Sequence, residues 1–163
     1  MINYDVDMNI FILDNDPKTA ATMLCDKHVV KMILESAQML CSALVCHNID
    51  NTPYRATHKN HPCTKWAGHT RANFEWLCTH GIGICEEYTR RYNKRHKSQD
   101  VIEWCKKRSE AIPDGPQTPF AQAMPAQYKN TCPVIAYRAY YRGEKAHISK
   151  WKTKIPEWWS AAS

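Results

Sequence analysis

Uninterrupted apolar runs are short in this chain: Ile10 to Leu13 is among the longest, whereas a membrane-spanning helix needs about 20 apolar residues. No spanning helix is expected. The start, MINYDVDMN, is polar and acidic rather than a charged leader followed by an apolar segment, so a cytoplasmic location is expected. CxxC pairs are absent as well. The eight cysteines stand singly, and Cys25, Cys41, Cys78, Cys85 and Cys105 lie among apolar neighbours in stretches that read as helix. That pattern predicts small buried thiols rather than a disulfide framework. Alternating strand patterns and internal repeats are missing too. Cys25-x-x-His28 and His58-x-x-His61 have zinc-like local spacing, yet His28 would have to turn toward a distant loop; neither a metal nor a cofactor is expected.

What remains is helical. With 163 residues and 44% apolar content, the chain can bury a core without staples, and the expected architecture is all-α: a compact single-domain helical bundle over residues 1–163. Residues 1–8 read as an N-terminal extension. Asp16 is a good N-cap and Pro17 a good first residue for a short helix to about Cys25. From Asp26 a longer helix follows. Val30, Ile33, Leu34, Ala37, Leu40, Cys41, Leu44 and Val45 gather on one side of it, and Lys27, His28, Lys31, Glu35, Gln38 and Ser42 on the other. The apolar side predicts a core face. The polar side reads either as a solvated face with a Lys31–Glu35 pair or as a groove bordered by Met32 and Met39. Capping needs only one side chain of Asp14-Asn15-Asp16. The other two are free to join Lys31 and Glu35, which makes Asp14, Asn15, Lys31 and Glu35 the candidate catalytic set, with His28 and Gln38 beside them.

Beyond it, His47 to Pro62 reads as a polar loop carrying His58, Lys59 and His61, with His58 and His61 joining His28 and Gln38 as candidate base-binding residues, and Lys65 to Tyr92 reads as a second long helix, weakened at Gly81 and Gly83 where close packing is expected. Ser98 predicts the cap of a third helix running to about Ile112. Pro133 starts a fourth, closed by Gly143 at a C′ position. Between them, residues 113–133 hold five prolines and no period. Loops of that length are commonly functional, and Gln122 and Gln127 offer amides able to read a base edge, so a substrate-facing loop is expected.

The formal net charge of +6 is concentrated in two places. Arg90, Arg91, Lys94, Arg95 and Lys97 form one cluster, and Arg138, Arg142, Lys145, Lys150, Lys152 and Lys154 the other, with Tyr88, Tyr92, Tyr140 and Trp151 interleaved. Cations beside rings suit nucleic acid. Lys27, Lys59, Lys65 and Arg71 add to the candidate DNA contacts, and single lysines elsewhere serve solubility. Three functional classes fit these residues: an enzyme acting on nucleic acid, a non-catalytic DNA- or RNA-binding protein, and a nucleotide- or base-modifying enzyme. Asp14 discriminates against a pure binder, because a carboxylate near the basic surface repels phosphates.

Asp26-Lys27-His28 leading a helix that holds Glu35, Gly68-His69 opening a helix with Phe74-Glu75-Trp76-Leu77, and Pro156 followed at two residues by Trp158 resemble the phage pyrimidine-dimer DNA glycosylases of the endonuclease V type. The segments NIFILDNDP, DKHVVKMILE, HKNHPCTKWA, TPFAQAMP and AYRAYY are similar to small phage and bacterial proteins labelled as that kind of glycosylase. The resemblance implies a monomeric all-helical enzyme, without obligate protein partner, that bends double-stranded DNA, turns a nucleotide out and breaks its N-glycosidic bond. In that family the N-terminal amine forms a Schiff base with the sugar. Here Met1 to Asp7 precede the matching segment, and an ungapped register puts Met32 at the family's catalytic glutamate and Glu35 at a second one. The expectation is therefore a monofunctional glycosylase, acting on a photodimer or on a bulky hydroxylated or glycosylated pyrimidine. The latter substrate implies an antiviral role.

Overall fold

The computed structural model describes residues 8–160; of the extension expected over residues 1–8, everything before Met8 lies outside the described residues. Six α-helices follow among the described residues: α1 (Pro17–Thr22), α2 (Asp26–Cys46), α3 (Pro62–His69), α4 (Arg71–Tyr92), α5 (Gln99–Lys106) and α6 (Pro133–Glu144). No strand occurs among those residues. The fold is all-α.

α1 begins as its sequence dictates, with Asp16 accepting from the Thr19 N–H at 2.8 Å and Pro17 in the first turn. α2 is the axis of the molecule and packs against α3, α4 and α5. By length and composition it could cross a bilayer, but most of its surface is covered by the other helices. That covering overturns the two-faced reading of α2. His28, Glu35 and Ser42, from the polar row, are buried, whereas Val30 and Leu34, from the apolar row, are 43% and 39% exposed. A helix packed on several sides keeps only a narrow solvent strip, and here the strip falls on the boundary between the two rows. Two of the buried polar groups are satisfied locally: Ser42 Oγ bonds both the carbonyl and the N–H of Thr57 at 2.8 and 2.9 Å, and His28 Nδ1 lies 2.6 Å from Tyr141 Oη with its ring stacked on Phe11.

The helix expected from Lys65 to Tyr92 is two helices. Thr70 is extended, with φ −135° and ψ 155°, and its hydroxyl accepts from the Asn73 N–H at 3.2 Å to cap α4. Gly83 allows α1 to lie close on α4, since a Cβ there would stand 3.1 Å from Ala21 Cβ. Ser98 precedes α5 but its hydroxyl bonds Tyr54 Oη at 2.7 Å instead of capping, and α5 ends at Lys106, short of the expected Ile112. Gly143 lies inside α6 rather than beyond it. A Cβ at that position would meet Tyr128 Oη at 2.3 Å, so the glycine makes room for a ring instead of a left-handed cap.

Residues 113–133 hold only a 3-10 turn, Ala126–Tyr128. They are nonetheless fixed. Asn73 Nδ2 donates to Thr118 Oγ1 at 2.7 Å and Asn73 Oδ1 accepts from the Thr118 N–H at 2.9 Å, while Phe120 packs on Trp66 and Trp76 with ring centroids 5.1 and 4.9 Å away.

Candidate active site and nucleic-acid interface

Glu35 is 6% exposed, and neither of its carboxyl oxygens completes a hydrogen bond among the described residues. Lys31, one turn earlier on α2, brings its Nζ to 3.6 Å from Oε2. Burial lifts the carboxyl pKa from 4.5 to about 7, against the opposing effect of the Lys31 ammonium, the Asn9 backbone N–H and the Lys145 charge. A carboxyl poised near neutrality is suited to moving protons at physiological pH.

A cleft of about 520 Å³ opens over this group. Val30, Lys31, Leu34 and Gln38 of α2 form its floor, Met8 closes one side, and His58, His96 and Lys97 supply the rim. Val30 and Leu34 are thus the exposed apolar pair of α2, set beside its buried acid. His58 holds a left-handed backbone with φ 51° and its Nδ1 lies 2.9 Å from Thr57 Oγ1; such a conformation is uncommon outside glycine. His96 Nδ1 accepts from the Ser98 N–H at 3.0 Å. Burial, and then the Lys97 charge, hold its pKa below the ordinary value, so it is neutral at pH 7.

Asp14 and Asn15 do not join Glu35. Asp14 Oδ1 accepts from the Asp16 N–H at 2.9 Å and Oδ2 lies 3.6 Å from Arg138, whose Nε donates to Leu13 O at 2.9 Å. The side chain of Asn15 is exposed, and its carbonyl accepts from Trp76 Nε1 at 3.0 Å. The buried run from Met8 to Leu13 separates the two places, with its first residue at the Glu35 cleft and its last at Arg138. A larger cavity, about 660 Å³, lies on the Arg138 side between Met23, Glu87, Arg90, Lys154 and Trp158. Its acids are occupied. Glu87 pairs with Arg90 and Arg91, and Glu157 lies 3.8 Å from Lys154.

Of the expected base-binding residues, Gln38 and His58 reach the cleft. His28 bonds Tyr141, His61 Nδ1 accepts from the Cys63 N–H at 3.0 Å to cap α3, and Gln122 exchanges hydrogen bonds with the backbone of Asn130 at 2.6 and 3.0 Å. Gln127 is exposed on its 3-10 turn, away from the cleft lining. The 113–133 loop therefore braces α4 and the Asn9 segment, where Asn9 Nδ2 donates to Ala123 O at 2.8 Å, instead of lining this cleft. Met8, His96 and Lys97 were not singled out as base-binding residues by the sequence. His96 could have been noticed as the one imidazole inside the first basic cluster.

The cations also sort by structure. Arg91 is fully buried, donating to Leu24 O at 2.8 Å, Thr22 O at 3.0 Å, Asp26 at 3.0 Å and Glu87 at 2.9 Å; it is not available to phosphates, because its donors are consumed by the end of α1 and two carboxylates. Arg71 is tied to Glu110 O and Asp114, Arg142 to Trp158 O, and Arg138 as above. Lys27, Lys59, Lys65, Lys94, Lys150 and Lys152 are exposed. The two clusters meet in space: Lys152 Nζ lies 5.5 Å over the Tyr92 ring, and Asp26 binds Lys150 O and the Lys152 N–H at 2.7 and 3.0 Å. This basic surface borders the start of α2, whose next turns carry Lys31 and Glu35.

A family model described as pyrimidine dimer DNA glycosylase matches residues 8–100. The matched span contains every residue named for the Glu35 cleft and stops before Arg138, Lys154 and Trp158. No curated protein and no solved structure matches the chain.

Proposed function

The chain belongs to the pyrimidine dimer DNA glycosylase family, and from that membership we propose that it excises a pyrimidine from double-stranded DNA with Glu35 as the catalytic carboxyl. The observation that carries this is the buried Glu35 under an open cleft, its carboxyl facing Lys31 at 3.6 Å with no hydrogen bond to either oxygen. A carboxyl inside the protein with no hydrogen-bond partner is costly to the fold, and its cost is understandable where it does chemistry.

The reaction runs on the sugar. A nucleotide turned out of the duplex places C1′ over Glu35; the carboxylate takes a proton from a water as that water attacks C1′, and the N-glycosidic bond breaks with its electron pair leaving on the base. Solvent protonates the departing base. The positive charge that builds on the sugar is stabilised by the same carboxylate. Because water is the nucleophile, the first product is an abasic site, and borohydride traps no covalent adduct. An adduct mapped to Lys31 would replace this scheme by a lysine Schiff base.

Val30 and Leu34 favour a pyrimidine that presents an apolar face, as a methylated photodimer does, since a hydroxyl pressed on them would lose its water. Gln38 and His58 support a second reading, a C5-hydroxylated or glycosylated pyrimidine of phage DNA excised as antiviral defence, because they offer polar partners at the rim. Mass spectrometry of products from unmodified, ultraviolet-treated and hypermodified phage DNA separates the two. The expected result is an abasic site in ultraviolet-treated DNA made by the wild type, with the cut base still joined to the neighbouring pyrimidine through the dimer, and none made by Glu35→Gln, with duplex affinity retained. An active Glu35→Gln rejects the assignment of Glu35, and no release from any DNA would leave a binding protein.

A further inference from the structure

The Glu35 cleft does not end at Gln38. Leu34 and Gln38 also line a second hollow, of about 530 Å³, whose other wall is the chain from Pro53 to Thr57. That wall is pinned to the helical core. Ser42 Oγ of α2 holds the carbonyl and the N–H of Thr57, Tyr54 Oη lies 2.7 Å from Ser98 Oγ, and Thr52 Oγ1 donates to Tyr54 O at 2.8 Å. Arg55 stands on this wall, exposed, and makes no hydrogen bond or ion pair among the described residues. In this it differs from the other arginines. Five of them face a carboxylate, and the remaining two, Arg108 and Arg142, donate to backbone carbonyls. A guanidinium keeps its charge and five N–H donors at any physiological pH, so Arg55 lines the hollow as a cation whose donors the fold has not used.

We infer that this second hollow is a phosphodiester subsite, in which Arg55 holds a backbone phosphate next to the nucleotide that Glu35 acts on. A guanidinium grips two phosphate oxygens with parallel N–H groups, and a wall already fixed to α2 and to Ser98 leaves little to order on binding. The spacing suits one strand. Gln38 follows Glu35 by three residues of helix, a rise of about 4.5 Å, close to the roughly 3.4 Å by which one nucleotide follows another along the axis of a strand. Along α2 the order is Lys31, Glu35, Gln38, with Arg55 across the hollow from the last, so the strand meets a cation before and after the carboxyl. Holding the backbone there steadies the target sugar over Glu35. Arg55 binds and positions; it does not touch the bond that breaks. The inference rests on the glycosylase reading for its chemistry.

The test neutralises each partner in turn. A duplex carrying one thymine photodimer is made with its ordinary backbone and in versions where one phosphate at a time, within the dimer and on either side of it, is a neutral methylphosphonate. Cleavage of the glycosidic bond is followed under single-turnover conditions with wild type and Arg55→Gln, and affinity by fluorescence anisotropy in the Glu35→Gln background. On the ordinary duplex Arg55→Gln is expected to cleave about tenfold more slowly and to reduce the salt slope of binding by about 0.9, with its melting temperature unchanged. One of the methylphosphonates should slow the wild type by the same factor and leave Arg55→Gln no slower than before, because the contact is already gone. Losses that add at every position overturn the subsite, and so does an Arg55→Gln with the rate and salt slope of the wild type. If the wild type cleaves no photodimer, that glycosylase reading fails by itself. The affinities then decide on Arg55 by the same comparison: one methylphosphonate that weakens Glu35→Gln but not the double variant supports the subsite, and additive weakening throughout rejects it.

Discussion

In the proposed reaction Glu35 links the chemistry to pH through one proton. Its folded pKa is about 7 against 4.5 for the free group, so the folded protein favours the protonated form. The stability that this gives is fully present below pH 4.5 and is lost as pH rises through about 7. Glu35→Gln, which stays neutral, is expected to melt with the wild type near pH 4 and to be more stable than it at pH 8, by about 3 kcal/mol. Thermal denaturation at the two pH values checks this; equal differences at both would mean that Glu35 does not ionise in the cleft. Activity should run the other way. If the carboxylate is the working form, base release under single-turnover conditions rises with pH to a plateau above about 7, and a flat profile would remove Glu35 from the proton transfer.

Arg91 acts at the scale of helices. Its guanidinium joins the last carbonyls of α1, the first residue of α2 and Glu87 of α4, so three elements share one buried cation. Removing one partner of a buried charge network leaves the others uncompensated, which costs about 3–5 kcal/mol. Arg91→Met should lower the melting temperature accordingly while leaving the salt dependence of DNA binding as it is. A change in salt slope without loss of stability would return Arg91 to the DNA surface. Gly143→Ala is a second test of how elements are fitted. The added methyl displaces Tyr128, which donates to Glu144 at 3.0 Å, and should loosen the proline-rich strap, seen as faster amide exchange over residues 120–131.

Across the whole molecule, affinity for duplex DNA should be set by the exposed lysines around the start of α2. Each lysine that neutralises a phosphate releases a condensed counterion, which contributes about −0.9 to the slope of log affinity against log salt. Lys150→Gln with Lys152→Gln is expected to reduce that slope by roughly 2 and to weaken all sequences alike; Lys94→Gln with Lys27→Gln should do the same. Fluorescence anisotropy over a salt series measures it. An unchanged slope in both pairs would move the interface to Lys59 and Lys65.

Local patterns alone determined the helical class, the cap at Asp16, the helix start at Pro133 and the buried cysteines, and they singled out Glu35 as a candidate, because capping and periodicity act within a few residues. They also carried the family resemblance. Distance along the chain hid the rest. Whether Val30 or His28 is buried depends on how many helices surround α2, and whether Arg91 or Lys152 is free to meet a phosphate depends on carboxylates and carbonyls far away in sequence. Only the tertiary structure decided that Asp14 belongs with Arg138 and that His96 and Lys97 belong with Glu35. The physical reason is that a short irregular run through a core carries its two ends to different surfaces, while packing brings parts of the chain far apart in sequence to one cleft.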